Sequence, residues 1–172
     1  MSVPLAPMMH LRIGGPADCF VEPFDEQDVA LIVRVCREHG LPMHMLGGGS
    51  NILCADAGVR GVVVHLGNLN RINREDNRVT VGAGVTLPSL LRATKEAGLA
   101  GLEKLTGIPA VVGGAVAMNA GTRAGETFEH LVSLTVVEPD GRLSVRTSDD
   151  WSPRYRDGRL NGAVVVQATF EL

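Results

Sequence analysis

The sequence predicts an α+β fold in two lobes, from three features. Short β-branched or alternating stretches recur along the chain. Only two longer segments carry a helical period, at residues 25–39 and 86–97. Two glycine clusters, at residues 47–49 and 107–121, lie about sixty residues apart, each after a strand-rich stretch with a helix nearby. The lobes are expected at residues 1–80 and 81–172.

Taken in order, residues 10–21 read as extended chain broken by the turn Gly14-Gly15-Pro16, with Cys19, Phe20 and Val21 in a short strand. Residues 25–39 form a helix: Asp25 can cap it, Asp28 lies near the positive end of its dipole, and Val29, Ile32, Val33 and Cys36 share one face. Gly40 and Pro42 stop it. A strand at 43–46 then runs into Gly47-Gly48-Gly49-Ser50-Asn51, and a β-branched strand follows at 61–66. Alone, three glycines are more often a tight turn between strands than a site, although their amides can form an anion-binding nest.

The polar residues 68–77 suggest a turn between strands, and 78–81 a short strand ending in Gly82-Ala83-Gly84. Thr86 can cap the second helix, which tolerates Pro88 in its first turn and ends at Gly98. Residues 107–121 are almost all small and uncharged, fitting either a packed helix or close approach by a flat ligand, with helical turns at 115–120. A hairpin follows, residues 131–138 and 142–146 joined by Pro139-Asp140-Gly141. Residues 147–158 form a polar loop, and 163–172 a closing strand.

Composition narrows the function. The 172 residues are 45% hydrophobic and 20% charged, so the chain reads as globular; with 3% aromatics the core must be aliphatic. A net charge of −3 and no basic stripe leave no footprint for nucleic acid. No apolar run reaches membrane-spanning length, and residues 1–9 lack the pattern of a signal peptide. Cys19, Cys36 and Cys54 are widely spaced, which predicts reduced thiols in or near the core of a cytoplasmic protein; with five scattered histidines they give no metal pattern. Neither a GxGxxG entering a helix nor a P-loop occurs. The arrangement suggests an extended anionic cofactor between the lobes.

The motifs His10-Leu11-Arg12-Ile13-Gly14-Gly15-Pro16-Ala17-Asp18, Leu46 through Asn51, Val81 through Gly84, Gly107 through Gly121, Tyr155-Arg156 and Ala168-Thr169-Phe170 occur in that order. Together they resemble the FAD-binding part of the UDP-N-acetylenolpyruvoylglucosamine reductase family. That family lies within the p-cresol methylhydroxylase/vanillyl-alcohol oxidase flavin superfamily and serves peptidoglycan synthesis. The resemblance implies that Gly47, Gly48, Gly49, Ser50 and Asn51 hold the FAD pyrophosphate. It implies that Gly107, Ile108, Pro109, Gly113, Gly114 and Ala115 lie against the flavin, with Met118, Asn119 and Gly121 at the end of that segment. Tyr155 is then a substrate contact, and Arg156 the catalytic guanidinium that polarises the enolpyruvyl carboxylate.

The implied cofactors are non-covalent FAD, since no His or Cys lies within residues 46–51, and NADPH as reductant, with a UDP-sugar as substrate. Ala110 and Val111 depart from the family's usual Gly and hydroxyl residue, and Gly158 from its common Ser. The family's C-terminal substrate domain, with a serine proton donor and a glutamate, does not map onto these 172 residues. The expectation is therefore a FAD-binding protein incomplete for catalysis by itself. The alternatives are a stand-alone FAD-binding or electron-transfer module, or a non-redox nucleotide-binding homologue.

Overall fold

The computed structural model describes residues 3–172. Its first sheet has the order β1-β2-β4-β3, from Val3–Pro4 (β1), Pro16–Val21 (β2), Met43–Leu46 (β3) and Val59–His65 (β4). β4 pairs in parallel with both β2 and β3, and α1 (Glu26–Glu38) makes the crossover. The cap on α1 is reciprocal: Asp25 Oδ1 accepts the Asp28 amide at 2.9 Å, and Asp28 Oδ2 accepts the Phe24 amide at 3.0 Å. Gly40, at φ +62°, closes it with a Schellman motif, in which Leu41 N–H donates to Cys36 O and Gly40 N–H to Arg37 O. Val29, Ala30, Val33 and Cys36 form its buried face.

The second sheet is antiparallel, with the order β10-β9-β11-β6-β5. Its strands are Ile72–Glu75 (β5), Arg78–Gly82 (β6), Leu131–Val137 (β9), Leu143–Thr147 (β10) and Val164–Glu171 (β11). β5 falls where the sequence suggested only a turn. It is an edge strand with three of its four residues exposed, so it needs no apolar face and carries no alternating signal. α2 (Leu87–Glu96) starts where Thr86 Oγ1 accepts the Ser89 amide. α3 spans Val112–Ala117, earlier than the expected 115–120, because Val112 and Gly113 N–H are already fixed by Val85 O and Ala83 O. The two-residue strands Gly121–Thr122 (β7) and Gly125–Glu126 (β8) form a hairpin that the sequence did not suggest.

The strands change sheet between His65 and Ile72. One main core nevertheless runs through both: Val29, Val33, Val62 and Val64 share it with Val81, Leu134, Val136 and Phe170. A smaller cluster of Leu5, Met9, Ala17, Leu46, Cys54 and Val63 pins the N-terminal segment beneath the glycine loop. The three cysteines are free, as unpaired thiols; Cys36 and Cys54 are buried, whereas Cys19, expected in or near the core, is exposed.

Glu138 and Arg146 tie the end of β9 to β10. Arg146 Nη2 donates to Glu138 Oε2 at 2.7 Å, Nε donates to Oε1 at 3.2 Å, and both side chains are only 17% exposed. The Arg146 hydrogen bonds hold the Glu138 carboxyl below its ordinary range. A depressed carboxyl stabilises the fold fully above the unfolded-state value of about 4.3, and that stabilisation is lost as pH falls through the folded-state value. Glu138→Gln is expected to cost roughly 1–3 kcal/mol near pH 7 and to flatten the acid limb of stability against pH. Urea unfolding from pH 3 to pH 7 measures both; an unchanged acid limb would refute the assignment.

Candidate functional site

A cavity of about 590 Å³ lies where the C-terminal ends of parallel β3 and β4 meet the end of β6, the start of β11 and α3. That volume is within the range of cofactor pockets. The glycine loop forms one side: Gly47, Gly48, Ser50 and Asn51 line the cavity directly. Gly49 is buried and turned away, at φ +65°, with its carbonyl accepting the His10 amide at 3.0 Å. A Cβ there would lie 2.3 Å from the Met8 carbonyl oxygen, so only glycine lets the N-terminal segment close under the loop.

The second glycine cluster faces it. Ile108, Pro109, Gly113, Gly114 and Met118 line the cavity, and a Cβ built on Gly47 would meet Val111 Cγ2 at 2.9 Å. The two glycine-bearing segments therefore touch, although about sixty residues separate them in the chain. Ala110 and Val111, the departures from the family pattern, are both lining residues and make this wall apolar.

Arg156 is exposed and lines the cavity, which places it at the mouth. It occupies a two-residue turn closed by the Arg154–Asp157 pair, Arg154 N–H to Asp157 O at 2.7 Å and Asp157 N–H to Arg154 O at 3.0 Å. Its φ of +58° belongs to the left-handed region that favours Gly or Asn, an unusual conformation of the kind that concentrates at functional sites. Its guanidinium donates to Gly121 O at 3.3 Å and lies 5.3 Å from the Tyr155 ring centre. Gly158 is explained by close approach: its amide donates to Ala117 O at 2.9 Å, and a Cβ would lie 2.1 Å from Val116 O. The family's serine has no room there.

The remaining residues chosen from the sequence do not line the cavity. Gly107 is exposed at φ +87°, Ala115 is a fully buried residue of α3, and Gly121 packs on β8. Asn119 is 1% exposed and bonded to Glu126 and Arg154 O. Tyr155 is 80% exposed beside the mouth. Gly14, Gly15 and Pro16 pack against residues 54–58, away from the cavity.

Sequence reasoning missed His65, Gly67 and residues 163–165, and gave no role to Ala83 and Gly84 of the matched motif, all lining. The available signal was topological. His65 is the register partner of Leu46, so the ends of two neighbouring parallel strands deliver both loops to one place, where α/β sheets bind ligands. His65 Nδ1 lies 2.8 Å from Glu22 Oε1.

Among the described residues the lining holds one guanidinium, one imidazole and no carboxylate. Such a wall suits an anionic, extended ligand. A Cβ on Gly48 would meet nothing nearer than Pro109 O at 3.7 Å, so the loop keeps open space on its cavity side. The residues present fit a nucleotide cofactor, since the glycine loop leaves room for close approach to its backbone. Among the described residues no group of three His, Cys, Asp or Glu is placed to hold a metal, and no helix is long and apolar enough to cross a membrane.

Comparison with known proteins gives concordant findings. The family model described as FAD binding domain matches residues 17–146. A UDP-N-acetylenolpyruvoylglucosamine reductase of Heliobacterium modesticaldum is 46% identical over 165 residues, covering 94% of this chain and 52% of that protein. The crystal structure of UDP-N-acetylenolpyruvylglucosamine reductase from Thermus caldophilus superposes with a TM-score of 0.80 at 36% identity, over 99% of this chain and 62% of that one. Glucooligosaccharide oxidase of Acremonium strictum, at 22% identity and a TM-score of 0.69, covers 90% of this chain and 35% of its own, and shares the fold. The chain spans about half the length of the curated relatives it matches.

Proposed function

The chain belongs to the FAD binding domain family, and from that premise we propose that it is the cofactor-binding half of an NADPH-dependent reductase acting on UDP-N-acetylglucosamine enolpyruvate in cytoplasmic peptidoglycan synthesis. The observation that carries this reading is the convergence of the glycine loop, the small-residue α3 segment and Arg156 on one cavity without a carboxylate. FAD, when bound, supplies the hydride acceptance and donation. Gly47, Gly48, Ser50 and Asn51, which line the cavity, would hold its pyrophosphate through loop amides and side-chain polar groups. Ile108, Pro109, Gly113, Gly114 and Val111 give an apolar wall that excludes water from the reacting face. Arg156, at the mouth, pairs its planar fork with the enolpyruvyl carboxylate and stabilises the charge that develops there. Among the described residues the lining holds no carboxylic acid or thiol, and the return of the proton is left to the serine that the family resemblance implies. No Cys among the described residues lines the cavity, and the lining His65 has its Nδ1 2.8 Å from Glu22 Oε1, which supports non-covalent attachment of FAD.

The test is direct. The purified protein is expected to be yellow, with a flavin absorption spectrum; a colourless protein that fails to quench added FAD fluorescence would overturn the reading. NADPH oxidation with UDP-N-acetylglucosamine enolpyruvate then separates a competent reductase from a module that only carries FAD. Arg156→Gln is expected to leave FAD content unchanged and to weaken binding of the enolpyruvyl sugar nucleotide by roughly ten- to a hundredfold, the worth of a hydrogen-bonded charge. Titration of the flavin spectrum with that compound reads this out.

A further inference from the structure

Asn119 is buried and sits at the C′ position of α3 in the left-handed region, at φ +40°. The backbone there completes a Schellman motif, with Ala120 N–H donating to Ala115 O and Asn119 N–H to Val116 O. That role needs only a residue tolerant of positive φ. The side chain does something separate. Its Nδ2 donates to Glu126 Oε2 at 2.6 Å and to the Arg154 carbonyl at 3.2 Å, across 35 residues of sequence. Both amide hydrogens are thereby used, and Oδ1 is left buried without a partner. An orphaned buried oxygen works against stability, so the carboxamide orientation is being imposed by its two acceptors. Glu126 cannot move to relieve it, because its carboxylate also caps the 3-10 turn Thr127–His130. Arg154 O is the same carbonyl that closes the turn bearing Arg156.

We propose that Asn119, fixed by Glu126, is a positioning residue: it clamps the Arg154 carbonyl and so holds the left-handed turn that presents Arg156 at the cavity mouth. The Gly158–Ala117 and Arg156–Gly121 hydrogen bonds are the clamp's other two points. The inference rests on the proposed function only for what Arg156 meets; the clamp itself is independent of it. It also gives Asn119 a role other than the cofactor contact that the sequence resemblance implies.

Asn119→Gly keeps the helix cap, since glycine adopts positive φ freely, and deletes only the clamp. It is expected to raise trypsin cleavage after Arg154 and Arg156 about tenfold, the worth of one charge-linked hydrogen bond, with the FAD dissociation constant within about twofold of wild type. Binding of UDP-N-acetylglucosamine enolpyruvate to the FAD-loaded protein, read from the flavin spectrum, should weaken about tenfold. The double variant N119D/E126Q restores a hydrogen bond between positions 119 and 126 but offers no donor to Arg154 O. It should keep fast cleavage and weak binding.

Unchanged cleavage in Asn119→Gly, full recovery of protease resistance in the double variant, or a parallel loss of FAD affinity would each overturn the proposal. If wild type itself shows no response to the enolpyruvyl compound, the substrate assignment of the functional reading fails, while the cleavage rates still decide the clamp.

Discussion

Gly49→Ala is expected to empty the cofactor site and destabilise the fold together. The residue needs φ +65°, which costs an alanine roughly 1–2 kcal/mol. The new Cβ would stand 2.3 Å from Met8 O and 2.8 Å from Met9 Cα, both backbone atoms that cannot swing aside. Relief requires lifting the N-terminal segment, breaking the hydrogen bond from His10 N–H to Gly49 O and opening the small cluster of Leu5, Met9 and Leu46. The combined penalty is roughly 2–5 kcal/mol. Gly48→Ala is the control: its Cβ meets Pro109 O at an ordinary 3.7 Å, so the fold should survive while the methyl enters the cavity. Thermal unfolding and the flavin content of the purified proteins distinguish the two. Gly49→Ala should be lower melting and colourless, Gly48→Ala normally melting and weaker in FAD affinity. An alanine at position 49 that melts and colours like wild type would show that the loop is not braced by the N-terminal segment.

Phe170→Ala is the largest purely structural loss expected. Phe170 is fully buried on β11, the central strand of the second sheet, between its register partners Val79 of β6 and Leu131 of β9. With only 3% aromatic residues, the core has few large side chains to collapse into the gap. The cost is expected at about 3–5 kcal/mol, a fall of roughly 10 °C in Tm for a chain of this size. Calorimetry of the variant checks it, and a loss below about 1 kcal/mol would mean that the site repacks freely.

Much of this molecule is written locally. The limits of α1 follow from Asp25, Asp28 and Gly40, because a cap and a left-handed stop act over one helical turn. Thr86 and the apolar spacing of α2 do the same, and β3 was legible residue for residue. β5 was not, because an edge strand of Ile-Asn-Arg-Glu meets its requirements by pairing with β6 rather than by burying a face. α3 was displaced by three residues, because its start is set by hydrogen bonds to Ala83 and Val85, more than 20 residues upstream.

The site divides the same way. The sequence by itself determined that a glycine loop follows β3, that residues 107–121 admit close approach, and, by resemblance, that Arg156 belongs with them. Those are properties of residue type and order. Only the tertiary structure decided which of those residues meet. Gly47 touches Val111, His65 arrives beside Leu46, and Gly49, Ala115 and Asn119 turn away to brace what the others present. The physical reason is that a cavity wall is made by side-chain direction and by non-local hydrogen bonds. Neither leaves a periodic trace in the chain, so a glycine lining the cavity and a glycine supporting it look the same until both sheets are packed.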